Sequence, residues 1–309
     1  MYRSFFGLRD HPFGSSPDPR FLYMTPQVRE SLACLQYGMA ARKGFVVMTG
    51  PVGTGKTTLL RTVLDSFVKE RVSAAFVFNP RLDVLDFFEY VLTDFGIPPQ
   101  TRTKSGMLLQ LNQWLCTRYH QGGLCVIVID EAQHLSVEML EEIRLLTNLE
   151  NSSDKLVQIA LSGQTELLDT LRNPALRQLR QRVALWCRTH PLTADDVDAY
   201  IAQRVRIAGA AGSLFSPEAV SLIHLYSRGI PRNINLLCEH ALIEAFVEQI
   251  APVPPHVIDS VASELGLYDF SPGYADGSIS QLQQKYSVPE LQIVESSGDG
   301  VDLVKEHES

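Results

Sequence analysis

The stretch GPVGTGKTT, Gly50 to Thr58, carries the spacing Gly-x-x-x-x-Gly-Lys-[Ser/Thr] in Gly50, Gly55, Lys56 and Thr57. Glycines let successive backbone N–H groups turn toward one point, and a helix that starts there adds the positive end of its dipole. Such a segment is suited to an anion with several oxygens. In this pattern the lysine reaches the β- and γ-phosphates of a nucleotide and the Thr57 hydroxyl ligates Mg²⁺, so ATP and Mg²⁺ are the cofactors to expect. Pro51, Val52, Gly53 and Thr54 fill the loop between the fixed positions, and Thr58 follows it. A dinucleotide fingerprint fits less well, because Gly53 and Gly55 are followed by Thr58 where that pattern needs a third glycine.

A second set lies in CVIVIDEAQHL. Asp130 ends an apolar run, and a carboxylate at the end of a buried strand beside a phosphate loop holds the Mg²⁺ shell. Glu131, one residue on, can polarise a water for in-line attack on the γ-phosphate. His134 reads as a surface or supporting residue at a helix start. The third set is LRQLRQRV, where Arg177 and Arg180 stand at helical spacing on one face and Arg182 opens the next predicted strand. These arginines sit in a chain of net charge −8, and they can pair either with surface acids or with an anion held elsewhere.

The elements that must position these groups are legible in the patterning. The apolar runs FVVMT (45–49), AAFVFN (74–79), CVIVID (125–130) and VQIALSG (157–163) lack alternation and suit strands buried on both faces, with VALWCRTH (183–190) as a fifth. Longer amphipathic stretches separate them. The alternation predicts an α/β fold, a five-stranded parallel sheet with helices on both faces. After HPLTADD, residues 195–208, 217–227, 232–249 and 255–265 read as helices with no strand between them, which predicts a small all-helical lid. The expected units are 1–43, an N-terminal segment and helix that forms part of a nucleotide-base pocket; 44–191, the phosphate-loop core; 192–266, the lid; and 267–309, an acidic tail expected to be flexible. From Asp269 onward eight acids face two lysines, which places six of the eight net negative charges there. The remaining body is close to neutral and shows no electrostatic footprint for nucleic acid.

Composition excludes several classes. The 309 residues are 45% apolar and 20% charged, ordinary for a globular chain of about two domains. Five cysteines, widely spaced and without a Cys-x-x-Cys pair, argue against a disulfide framework or a zinc site. No export signal is visible at the start, and no apolar run nears the roughly 20 residues of a membrane helix, so a cytoplasmic location is expected.

Taken with these motifs, the chain resembles the AAA+ ATPases over roughly residues 2–265. DEAQ and the N-terminal FFGLRDHPFGSSPDPRFLYMTPQVRESLACLQYGM resemble the ExeA-type branch, the general secretion pathway protein A family, with relatives among transposition ATPases. The resemblance implies a P-loop NTPase core with Asp130 as the Walker B aspartate. It places the sensor 1 region in VQIALSGQTEL, with Gln164 or alternatively Ser162 as the sensing side chain. RGIPRNIN resembles the sensor 2 motif, which puts Arg232 at a lid-helix start facing the γ-phosphate. Asn79 lies where many relatives carry a residue that restrains the Walker B glutamate. Phe13 and Tyr23 are candidates for the base pocket. The arginine finger of such proteins precedes the fifth strand, the position of Arg177, Arg180 and Arg182. The implied activity is Mg²⁺-dependent ATP hydrolysis by a homo-oligomer, a ring or an arc, that remodels or energises a partner protein. Secretion and exopolysaccharide or exosortase machinery are the implied settings, with attachment to a peripheral membrane complex. The alternative from the transposition relatives is an ATP-gated DNA-binding assembly module.

Overall fold

The computed structural model describes residues 1–14, 16, 18–67, 72–78, 82–151 and 154–267. Asn79 and the acidic stretch from residue 268 onward lie outside the described residues.

Five parallel strands form one sheet: β1 (Phe45–Thr49), β2 (Val72–Val77), β3 (Leu124–Ile129), β4 (Gln158–Gly163) and β5 (Leu185–Arg188), in the order β2-β3-β4-β1-β5. Burial distinguishes the central strands from the edges. Every residue of β1, β3 and β4 is buried, whereas β2 and β5, at the edges, are partly exposed. Strand side chains alternate between faces, so each central strand supplies two cores. Phe45, Val47, Ile127, Ile129, Ile159 and Leu161 pack on one face, against α4 (Val84–Asp94), α5 (Lys104–His120), α6 (Val137–Leu146), α7 (Glu166–Arg172) and α8 (Arg177–Arg182). Val46, Met48, Val126, Val128 and Ala160 pack on the other, against α2 (Pro26–Ala40) and α3 (Lys56–Ser66).

The fifth strand starts later than its sequence pattern suggests. Arg182 ends α8 and does not open β5, which begins at Leu185. The short helix continues to Arg182 because Leu176 and Leu179 are both buried, and their spacing keeps one helical face on the core.

The helical unit comprises α9 (Ala194–Ile207), α10 (Pro217–Ser227), α11 (Pro231–Val247) and α12 (Pro255–Glu264). Thr193 and Asp196 close a capping box on α9, and the Ser216 side chain caps α10 ahead of Pro217. Its core recruits the N-terminus: Tyr2, Phe6, Leu8 and Phe13 pack with Val197, Ile201, Leu237 and Leu242, and the first turn α1 (Tyr2–Phe5) lies against α11. The N-terminal segment is thus split between two cores, since Leu35 and Met39 of α2 face the sheet instead. Arg204 fastens this arrangement. Its buried guanidinium lies 4.8 Å from the Phe21 ring centre and 5.1 Å from that of Tyr200, and its Nε donates to the Pro12 carbonyl at 2.6 Å. No helix among the described residues is long and apolar enough to cross a membrane.

Candidate active site

The strand order decides which loops meet. Ligands of open parallel sheets bind beyond the carboxyl ends of the strands, and here β3, β4 and β1 are neighbours. Asp130 and Glu131 leave β3, Gln164 leaves β4 and the phosphate loop leaves β1. A cleft of about 840 Å³ opens at this end, between the phosphate loop, α2, the N-terminal segment and the first turns of α9 and α11.

The loop is shaped by close contacts. Gly53 and Gly55 have φ of 78° and 90°, a region that side chains with a Cβ seldom adopt. A Cβ on Gly50 would come within 2.0 Å of Thr189 Oγ1, and that hydroxyl shares a 2.6 Å hydrogen bond with Thr54. Gly50→Ala is therefore expected to destabilise the fold by about 1–3 kcal/mol through overpacking, visible as a lower melting temperature.

Lys56 is 7% exposed at the start of α3, and its Nζ donates to the carbonyls of Gly50 and Pro51, each at 2.9 Å. Burial pushes its pKa down, opposed by the charges of Glu131, Asp130 and Glu166. The Thr57 hydroxyl donates to Asp130 Oδ2 at 2.6 Å. Asp130 Oδ1 accepts the Glu131 backbone N–H.

Glu131 lines the cleft in a left-handed backbone conformation, φ 53°. Burial raises its pKa, but hydrogen bonds from Gln133 and Gln164 and the charge of Lys56 outweigh burial, so it lies below the ordinary carboxylate value. Gln164 Nε2 donates to Glu131 Oε2 at 3.3 Å. Ser162, by contrast, is fully buried within β4 and does not line the cleft. His134 is exposed in the 3₁₀ turn Ala132–His134.

The lid reaches the loop directly. The Arg232 backbone N–H donates to the Gly53 carbonyl at 3.2 Å, and a Cβ on Gly53 would meet Arg232 Cβ at 2.7 Å. Arg232 lines the cleft from the first turn of α11. Phe13 and Tyr23 line it too, each also packing edge-on against a lid aromatic, Phe215 and Tyr200 respectively. Arg177, Arg180 and Arg182 are exposed, and none of them lines the cleft.

Residues not singled out from sequence also enter the site. Gln133 touches Glu131, Thr189 supports Gly50, and Arg188 lines the cleft from the end of β5. Thr189 and Arg188 were embedded in a strand-like run, and nothing in their types separated them from edge-strand polar residues.

Comparison with known proteins agrees with this geometry. The sequence matches the family described as AAA domain over residues 40–171. Residues 40–171 therefore form an AAA domain, the domain of an ATPase. It is 43% identical over 247 residues to general secretion pathway protein A of Aeromonas hydrophila, a match covering 80% of this chain and 45% of that relative. The match thus spans less than half the length of that protein. Among solved structures it is similar to Cdc6p from Pyrobaculum aerophilum, with a TM-score of 0.66 at 18% identity over 83% of this chain and 71% of that one. The Aeropyrum pernix ORC2 protein in its ADPNP-ADP complexes gives 0.62 at 16% identity over 81% and 72%. At such identities the structural likeness concerns the fold alone.

Proposed function

We propose that the ATPase works as a Mg²⁺-dependent homo-oligomer that remodels or energises a partner protein in secretion or exopolysaccharide machinery. The observation that supports the chemistry most is the meeting of Lys56, Glu131, Gln164 and the Thr57–Asp130 pair at the ends of three adjacent strands. Thr57 Oγ1 and Asp130 Oδ2, 2.6 Å apart, are hard oxygen donors with a single carboxylate between them. That set suits a cation that completes its shell with phosphate and water. When bound, Mg²⁺ would supply positive charge to the phosphate oxygens.

In this reading the loop N–H groups from Gly50 to Thr58 and Lys56 hold the phosphates, Glu131 takes the proton of the attacking water, and Gln164 contacts that water or the γ-phosphate. Arg232 brings the lid onto the γ-phosphate. Its place in a helix first turn opposes the macrodipole, so an anion there relieves an unfavourable charge. Arg180 or Arg182 reaches the nucleotide of a neighbouring copy, in keeping with their absence from the cleft of their own chain. The name of the Aeromonas relative favours a secretion partner, at a membrane complex or free of one.

Glu131→Gln tests the assignment of the base. It is expected to lower the phosphate-release rate about a hundredfold while ATP affinity, read by a fluorescent analogue, stays within about twofold. Turnover that survives the substitution would exclude Glu131 as the base. ATP-dependent retention on duplex DNA, steeply lost with salt, would instead favour the DNA-assembly alternative.

A further inference from the structure

Glu131 carries its carboxylate on a residue in the left-handed region, followed by a single 3₁₀ turn, so little of its own backbone fixes the side chain. What does fix it is a ring of hydrogen bonds. Gln133 Nε2 donates to Glu131 Oε2 at 2.6 Å, and Gln133 Oε1 accepts the Gln164 backbone N–H at 2.9 Å. Gln164 Nε2 closes the ring on the same carboxylate oxygen at 3.3 Å. A backbone N–H can only donate, so the Gln133 amide must turn its oxygen to Gln164 and its nitrogen to Glu131. Its orientation is determined by the end of β4. The fit is close: a Cβ on Gly163 would lie 3.0 Å from Gln133 Oε1 and 2.8 Å from Leu167 Cδ2.

We infer that Gln133 is the positioning residue for Glu131, aiming the carboxylate into the cleft and tying it to the backbone of Gln164. Its bond is the shorter of the two on Oε2, and neither amide bonds Oε1, which leaves that oxygen for water. The arrangement also couples the two ends of the ring. A shift of Gln164 toward a bound γ-phosphate moves its N–H, the Gln133 amide follows, and the carboxylate moves with it. This inference rests on Glu131 being the base.

The test compares wild type, Glu131→Gln, Gln133→Met and Gln133→Glu in one phosphate-release assay, with ATP affinity and melting temperature measured on each. Methionine keeps the length of glutamine without its hydrogen bonds. Glutamate keeps an acceptor for the Gln164 N–H but turns a second oxygen on Glu131. Both are expected to lose about tenfold to a hundredfold in kcat, with ATP affinity within about twofold and melting unchanged. The loss in Gln133→Glu would show that the donor to Glu131 matters beyond the intact turn. A Gln133→Met enzyme with wild-type kcat, or one whose ATP affinity falls in step with kcat, overturns the inference. If Glu131→Gln itself leaves turnover intact, the proposed base fails, and the role of Gln133 fails with it. A Glu131-dependent enzyme indifferent to Gln133 removes the inference alone.

Discussion

Replacing Lys56 with alanine is expected to lower ATP turnover about a thousandfold, close to 4 kcal/mol of transition-state stabilisation. The reason is its environment. The ammonium is buried, its pKa is pushed down by desolvation, and its hydrogen-bond acceptors are the Gly50 and Pro51 carbonyls. Neutral carbonyls stabilise the cation less than a phosphate oxygen would, so the buried charge favours an arriving polyphosphate, and favours it more as negative charge builds on the bridging oxygens. Lys56→Arg should fail nearly as badly, because a planar fork does not fit where a compact ammonium sits between two carbonyls. ATP affinity should fall in both variants, whereas melting temperature should hold or rise in Lys56→Ala, since a poorly compensated buried charge has been removed. Phosphate release, nucleotide titration and thermal melting separate these effects. An alanine variant within threefold of wild-type turnover would show that the phosphates are not held as described.

The same residue shows how much of the molecule could be read in advance. Gly50, Gly55, Lys56 and Thr57 carry their chemistry in their types and spacing, and the unbroken apolar run before them marked a strand while the amphipathic stretch after them marked a helix. Asp130 was legible for the same reason. The strand order β2-β3-β4-β1-β5 was not, because a run such as CVIVID shows that it is buried without showing between which neighbours. Gln133 was inside a quoted motif, yet its work depends on a backbone N–H 31 residues away, which no local pattern contains. Arg204 is concealed differently: on an amphipathic helix it reads as a solvent-facing charge, and its burial is explained by Phe21 and the Pro12 carbonyl from a distant segment, with Tyr200 one turn earlier on the same helix. The N-terminal segment divides between the sheet and the lid because its aromatics near Tyr2 to Phe13 find the lid core before α2 reaches the sheet.

The arginines before β5 give the other large effect, and in the proposed oligomer it acts between copies. Leu176 and Leu179 turn α8 so that Arg177, Arg180 and Arg182 stay exposed. Arg182 donates to Asn148 Oδ1 at 3.3 Å, and it adds a minor charge effect on Glu150, whose pKa is held down chiefly by the hydrogen bond and charge of Lys155. Arg180 makes no such contact with another described residue, which leaves its guanidinium available to an outside anion. A basic last turn gains a little from the helix dipole, at most about 1 kcal/mol for an exposed charge, and that gain alone would make Arg180 dispensable for turnover. If instead Arg180 stabilises the γ-phosphate of an adjoining copy, Arg180→Ala should bind ATP normally and hydrolyse it about a thousandfold more slowly. Arg182→Ala should fall less, because its contacts lie within its own chain. Mixing separates action in trans from any effect inside one subunit. An Arg180→Ala copy keeps Lys56 and Glu131, and a Glu131→Gln copy keeps Arg180, so each supplies what the other lacks wherever they adjoin in the right order. Mixed samples should regain turnover well above the sum of the two inactive proteins, with a maximum at intermediate ratios. Turnover that stays additive at every ratio, in samples shown to co-assemble, would assign Arg180 to its own subunit.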